Sequence, residues 1–338
     1  MPSKNSPLIL NGTCCMLSEE GEMRKMKKLN LLIGTLLTTV ALSHAVDSYS
    51  DVVGYSKLSI PVGGRLIAPV FLKSAVYTGS ATVTSGVFTV SGLTSGALNQ
   101  TSFSDRPNFP THYVKITSTG SNEGLVLDVV SNTATSITVA GAPSGLSGSV
   151  TIEVVPHYTL LDFANQATNL QPYADAVTFY DPGNAKRAYY YTGTGFVGDD
   201  YSTPADHVVI YPGSGVILNA GANSSVTMTG RVNNTKTLVP VYAGESIVAP
   251  IDPSGITKIA DSNLGSAMAP YADAASVVLL DGSLATTAYY TDGSGMLDDG
   301  YTPLDPASSN TPKVAAGNGF IVNANADGYW GQSPVISK

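Results

Sequence analysis

Two acidic pairs, Asp199-Asp200 and Asp298-Asp299, each follow a Gly-x-Gly turn and each precede a tyrosine, Tyr201 or Tyr301. Carboxylates that recur after the same turn are candidate calcium ligands, since Ca²⁺ takes roughly six to eight hard oxygens. Asp206 and Asp305 stand a few residues further on and could add to them. No Asp-x-Asp-x-Asp-Gly loop is present, and Asp is a common turn former, so turn chemistry is the expected role. Aromatic runs precede the acids: Tyr189 to Tyr191 in one place, Tyr289-Tyr290 in the other. Neighbours on a strand point to opposite faces, so alternate tyrosines share a surface. Tyr190 and Tyr290 are therefore the candidates for stacking on sugar rings. The competing reading is that these tyrosines straddle core and solvent.

Other chemistry finds little support. Gly193-Thr-Gly-Phe-Val-Gly198 matches a dinucleotide fingerprint, but Asp199-Asp200-Tyr-Ser-Thr-Pro204 is a poor helix start and its carboxylates would repel a phosphate. A hairpin turn is expected there. His112, His157 and His207 follow no His-Glu-x-x-His pattern, and none lies four residues from another. No Gly-x-Ser-x-Gly elbow occurs. After residue 45 the only glutamates are Glu123, Glu153 and Glu245, which have no matching positions across the two aromatic blocks. No catalytic residue and no organic cofactor is expected; calcium is the one cofactor considered.

The elements that position these residues come twice. Ala188-Tyr-Tyr-Tyr-Thr-Gly-Thr-Gly195 returns 100 residues later as Ala288-Tyr-Tyr-Thr-Asp-Gly-Ser-Gly295. Pro172-Tyr-Ala-Asp-Ala176 returns as Pro270-Tyr-Ala-Asp-Ala274, and Pro212-Gly-Ser-Gly-Val-Ile-Leu-Asn-Ala220 as Ala316-Gly-Asn-Gly-Phe-Ile-Val-Asn-Ala324. The Gly-x-Gly of this last element permits positive φ or close backbone approach. An earlier phrase, Gly63-Gly-Arg-Leu-Ile-Ala-Pro69, matches Gly244-Glu-Ser-Ile-Val-Ala-Pro250 at 181 residues, against 98 for the Pro-Tyr-Ala-Asp block. The first copy therefore carries 83 additional residues, rich in strand signals at 81–90, 113–117, 124–130, 136–140 and 149–155. Five short strands in such a span predict a small barrel or sandwich inserted in a loop. Residues 159–170 are the best helix candidate, with Leu161, Ala164 and Thr168 on one face; residues 259–268 hold the same place in the second copy.

The fold class expected is all-β: two divergent copies of a β-module, a small β-barrel or sandwich inserted in the first, and few short helices. The expected divisions are an upstream extension (1–22), a signal peptide (23–45), a first module (46–71 with 158–235), the insert (72–157) and a second module (236–338). The signal reading rests on Met23-Arg-Lys-Met-Lys-Lys28, an apolar run from Leu29 and the small-residue site Ser43-His-Ala45. That run is too short to span a bilayer, so no membrane span is expected after signal removal. Both cysteines, Cys14 and Cys15, precede the cleavage site. Five of the 17 basic and three of the 25 acidic residues also precede it, so the mature chain is more acidic than the overall −8. Such a chain repels nucleic acid and anionic lipid, which excludes both as expected partners.

The chain resembles a family of uncharacterised secreted β-rich proteins of verrucomicrobial bacteria. The resemblance lies in Val52-Val-Gly-Tyr55, Tyr113-Val-Lys-Ile-Thr-Ser118 with Glu123-Gly124, Ile152-Glu-Val-Val-Pro-His157, Ala188-Tyr-Tyr-Tyr191 and Pro212-Gly-Ser-Gly215. Phe196 and Met296 stand where members of that family often carry Trp. The resemblance implies export and brings no activity. The function expected is that of a non-catalytic structural or surface-interaction protein, exported to the periplasm, cell surface or medium. Its partners would be itself or other envelope components. A carbohydrate-binding protein contacting polysaccharide is the alternative, and a secreted hydrolase the second alternative.

Overall fold

The computed structural model describes residues 52–336 apart from 104–107, 181–185, 255 and 279–283. The expected extension and signal peptide lie outside the described residues. The first module opens with β1 (Val53–Ile60) and β2 (Gly63–Ile67). Six strands follow: β3 (Tyr77–Thr84), β4 (Val87–Thr89), β5 (His112–Ile116), β6 (Val126–Asn132), β7 (Ser136–Val139) and β8 (Ser147–Pro156). They close into a barrel in the order β3-β4-β7-β6-β5-β8. The module resumes with β9 (Tyr158–Thr159), helix α1 (Leu160–Gln166) and β10 (Ala167–Thr168). It ends with β11 (Ala176–Tyr180), β12 (Lys186–Tyr191), β13 (Phe196–Val197), β14 (Val209–Ile210), β15 (Val216–Ala220) and β16 (Ser224–Arg231).

The second module contains β17 (Thr237–Val241), β18 (Gly244–Val248), β19 (Ile256–Lys258), β20 (Ala274–Val278) and β21 (Leu284–Thr291). It continues through β22 (Met296–Leu297), β23 (Lys313–Ala315), β24 (Phe320–Ala324) and β25 (Gly328–Gln332). Strand order is the same in both modules. The first has the five-stranded sheet β13-β12-β11-β15-β2 and the second β22-β21-β20-β24-β18. The pairs β14-β9 and β1-β16 have counterparts in β23-β19 and β17-β25; β10, on the edge of β16, has none among the described residues. Alternation sets the inner faces. Val216, Leu218 and Ala220 of β15 are buried, as are Phe320, Val322 and Ala324 of β24.

The modules meet through reciprocal contacts. Ile67 at the end of β2 bridges Asn318 in the turn before β24, while Val248 at the end of β18 bridges Ser214 before β15. Likewise Ala68 N donates to Gly317 O at 2.9 Å and Ala249 N to Gly213 O at 2.8 Å. This is the self-complementary pattern of an isologous dimer, built within one chain. Leu66 and Ile247 pack together at its centre. The Gly-x-Gly turns permit it: Gly213 and Gly317 have φ of +76° and +83°, and a Cβ on Gly215 would stand 2.7 Å from Ile247 Cγ2.

The barrel interior is filled by Val83, Phe88, Val114, Ile116, Ile137, Ile152 and Val154, and closure removes its sheet edges. Tyr113, Lys115 and Glu153 alternate with that set, so they point outward. Arg231, where β16 runs into the link between modules, donates to both oxygens of Glu153 at 3.2 and 2.7 Å. Lys115 Nζ donates to Asn233 Oδ1 at 2.7 Å. Burial pushes Lys115 down to about 7, against the opposing pull of Glu153.

Several local expectations are corrected. The strand expected at 81–90 is two strands, parted at Ser85-Gly86 with φ of +49° and +78°, the geometry of a type I′ hairpin turn. Helix α1 is shorter than expected. Thr159 and Asp162 form a capping box at its start, and Thr168 already belongs to β10. Its inner face is Leu160, Phe163 and Ala164, while Leu161 is exposed. Residues 259–268 form two 3-10 turns, Ile259–Asp261 and Leu264–Ala267, separated by Asn263 at φ +55°.

Candidate functional site

Tyr190 and Tyr290 each belong to a cluster of three tyrosines. The ring of Tyr190 lies 4.5 Å from that of Tyr201, which lies 6.4 Å from Tyr173. In the second module Tyr290 lies 5.1 Å from Tyr301, and Tyr301 lies 5.8 Å from Tyr271. Tyr173, Tyr201, Tyr271 and Tyr301 are each more than half exposed. Strand alternation decides which tyrosine of the run takes part: Tyr189 and Tyr191 face the core side, and Tyr190 takes the other face. The expected contact residues were thus one in three of each cluster.

The other two come from loops, and their backbones are unusual. Tyr173, Tyr201, Tyr271 and Tyr301 all have φ between +57° and +58°. For a bulky residue the left-handed region is an outlier, costing roughly 1–3 kcal/mol. Tyr201 N donates to Gly198 O and Tyr301 N to Asp298 O, both at 3.0 Å. Each tyrosine therefore closes a four-residue hairpin turn at the position glycine ordinarily fills. Tyr173 N donates to Tyr191 O at 2.6 Å, and Tyr271 N to Thr291 O at 2.8 Å.

A buried aspartate holds each of these latter loops. Asp175 accepts from Gln171 N at 2.9 Å and from Gly221 N at 2.6 Å. Asp273 accepts from Ala269 N at 2.7 Å and from Asn325 N at 2.8 Å. The Pro-Tyr-Ala-Asp recurrence contained both Asp and αL tyrosine, but sequence reasoning gave it no role. Tyr201 also hydrogen-bonds Tyr190, which raises its hydroxyl above the ordinary phenol value.

The acidic pairs turn out to be one residue out of phase. Since Tyr301 matches Tyr201, Asp298 occupies the place of Gly198 and Asp199 matches Asp299. Asp200 accepts from Ser202 N at 3.0 Å and Thr203 N at 2.9 Å, and from both of their hydroxyls. Those bonds hold its carboxyl well below the usual range, the Thr203 hydroxyl contributing most. In the second module Asp298 does the capping, accepting from Gly300 N at 2.9 Å and Thr302 N at 2.8 Å. Asp206 accepts from Phe196 N. Among the described residues no group of three or more His, Cys, Asp and Glu is placed to hold a metal ion.

The remaining candidates are dispersed. The Gly193–Gly198 match is a hairpin turn, closed by Thr192 N donating to Gly195 O at 2.9 Å. His207 stacks on Phe103 at 3.7 Å, His157 contacts Asp128, and burial pushes His112 down to about 4. Glu153 is committed to Arg231.

The class defined by this geometry is an all-β protein of two modules of common topology, with a barrel between strands of the first and an aromatic cluster on each module. No protein-family model, curated protein or solved structure matches the chain. Among the described residues no helix is long and apolar enough to cross a membrane.

Proposed function

We propose that the chain is a non-catalytic, exported surface-interaction protein that contacts polysaccharide through its two tyrosine clusters. The observation carrying this reading is that four exposed tyrosines, two in each module, occupy left-handed backbone positions. Glycine would complete the same turns without strain. Strain kept at an exposed ring points to a use for the ring, because such residues gather at ligand-contacting sites. Phenol rings offer an apolar face and a hydroxyl, which suits the mixed surface of a pyranose. Two clusters on one chain can engage one polymer together, so weak single contacts add by avidity.

Retention on insoluble glucan, chitin and peptidoglycan tests this, with Tyr201→Ala and Tyr301→Ala singly and combined. Each single variant is expected to reduce retention on the bound polymer several-fold, and the double variant to abolish it. A double variant retained like the parent on every polymer overturns the proposal.

Self-association is a second reading, favoured by β1. This strand pairs with β16 along one side and carries exposed Val53 and Tyr55. It ends a sheet, where a neighbour's strand can add. Sedimentation of Tyr55→Lys against the parent distinguishes the two readings: loss of oligomers with retained polymer binding assigns β1 to self-association alone.

A further inference from the structure

A cleft of about 460 Å³ opens where the barrel and both modules come together. Residues of all three line it, among them Asp128 from the barrel, Tyr211 from the first module and Tyr242 and Tyr329 from the second. Ligand pockets favour such junctions and such volumes. Asp128 is the only side chain of formal charge on its lining, so among the described residues no lysine or arginine lines it.

The carboxylate is built in place. Tyr211 Oη donates to Asp128 Oδ2 at 2.7 Å, and His157 Nε2 lies 3.0 Å from Oδ1. The His157 side chain is fully buried, and its Nδ1 has no partner among the described residues. A proton on Nδ1 would be a buried donor with no acceptor among the described residues, so Nε2 is the nitrogen placed to donate to Asp128. The two donors orient the carboxylate, and among the described residues no lysine or arginine on the lining compensates its charge. Lys186 stands over the ring of Tyr180, itself a lining residue, at 4.5 Å, and is paired there with Glu245 at 3.8 Å. Asp128 is also near enough to Tyr242 to help raise its hydroxyl, after burial and Tyr329.

We propose that this cleft binds a small organic cation, an alkylammonium or quaternary ammonium group, with Asp128 as counter-ion and Tyr242 and Tyr329 as aromatic walls. A fixed carboxylate beside phenol faces is the chemistry that prefers such a cation to a neutral molecule of the same shape. The site is separate from the tyrosine clusters and does not depend on their proposed role.

The probe is tetramethylammonium, with neopentyl alcohol as its neutral match, followed by NMR line broadening and chemical shift on the whole chain. Tetramethylammonium is expected to bind with Asp128 present, and at least ten-fold more weakly in Asp128→Asn, which keeps the acceptor for Tyr211. Neopentyl alcohol should bind at least ten-fold more weakly than the cation. Tyr242→Ala, at the rim, should weaken cation binding several-fold, and Tyr201→Gly should leave it unchanged. Equal binding of the alcohol, or unchanged cation binding in a folded Asp128→Asn, overturns the proposal. If Asp128→Asn fails to fold, Tyr242→Ala and the alcohol decide: no loss in the first, or no preference in the second, overturns it.

Discussion

The two modules follow one strand order, yet they differ in almost every local device that holds it. The first starts its helix with a Thr159–Asp162 capping box; the second has two 3-10 turns, and Lys258 gives no side-chain cap. The first caps its tyrosine turn with Asp200, the second with Asp298. The first carries a barrel between β2 and β9, where the second passes from β18 to β19 through a short loop. Three things do not differ: the buried aspartate, the Gly-x-Gly turn at the module contact, and the cluster of three tyrosines. Caps are interchangeable because any acceptor that reaches the free amides satisfies them. A buried carboxylate between two amides is harder to replace, and in both modules the strained tyrosine packs its ring against the strand tyrosine, Tyr190 or Tyr290.

Substitutions that set one module against the other sharpen this contrast. The largest effect belongs to a shared device. Asp175→Ala and Asp273→Ala each strand buried amides, so each should cost about 4 kcal/mol in chemical denaturation. Very unequal costs would mean that the modules are not held alike. The glycines come next and should split. Gly213→Ala combines a left-handed backbone with a Cβ 2.2 Å from Val239, for about 3 kcal/mol. Gly317→Ala meets nothing nearer than Leu58 at 3.5 Å, leaving only the backbone cost of about 1 kcal/mol.

The barrel contact should appear as a pH dependence. An unfolded Lys115 keeps its proton up to about 10.5, while the folded one releases it near 7. The unfolded chain therefore binds more protons between those values, so stability rises with pH across that window, and the gain is lost as pH falls back to about 7. Lys115→Met should flatten the rise in denaturant midpoint between pH 7 and 10; an unchanged slope would place its origin elsewhere. The smallest effect is Thr159→Ala, about 1 kcal/mol, with Lys258→Ala near zero.

Much of the plan was legible because spacing survives substitution. The fall from 181 to 98 residues between matching phrases marks an insert, and the closed barrel of β3 to β8 lies within that stretch. The hairpin at Ser85-Gly86 was hidden because Thr84 and Val87 continue the strand alternation across it. Helix α1 was placed on the wrong face because a helix of two turns is too short to show its period, and Phe163 rather than Leu161 reaches the core. Tyr190 and Tyr290 could be chosen from strand alternation alone. Tyr173 and Tyr201 could not join them, since tyrosine carries no signal for a left-handed turn and the ring contacts are long-range. The recurrence of tyrosine at a glycine-like place after the acidic turn was the available clue.

Stability and polymer retention of the Tyr201→Gly, Tyr301→Gly double variant test the central claim together. If the rings are kept at a conformational cost for contact with polysaccharide, glycine should relieve about 1 kcal/mol at each turn, raise the denaturant midpoint and abolish retention. A lower midpoint with retention intact would contradict it, making the tyrosines part of the scaffold and not of a binding surface.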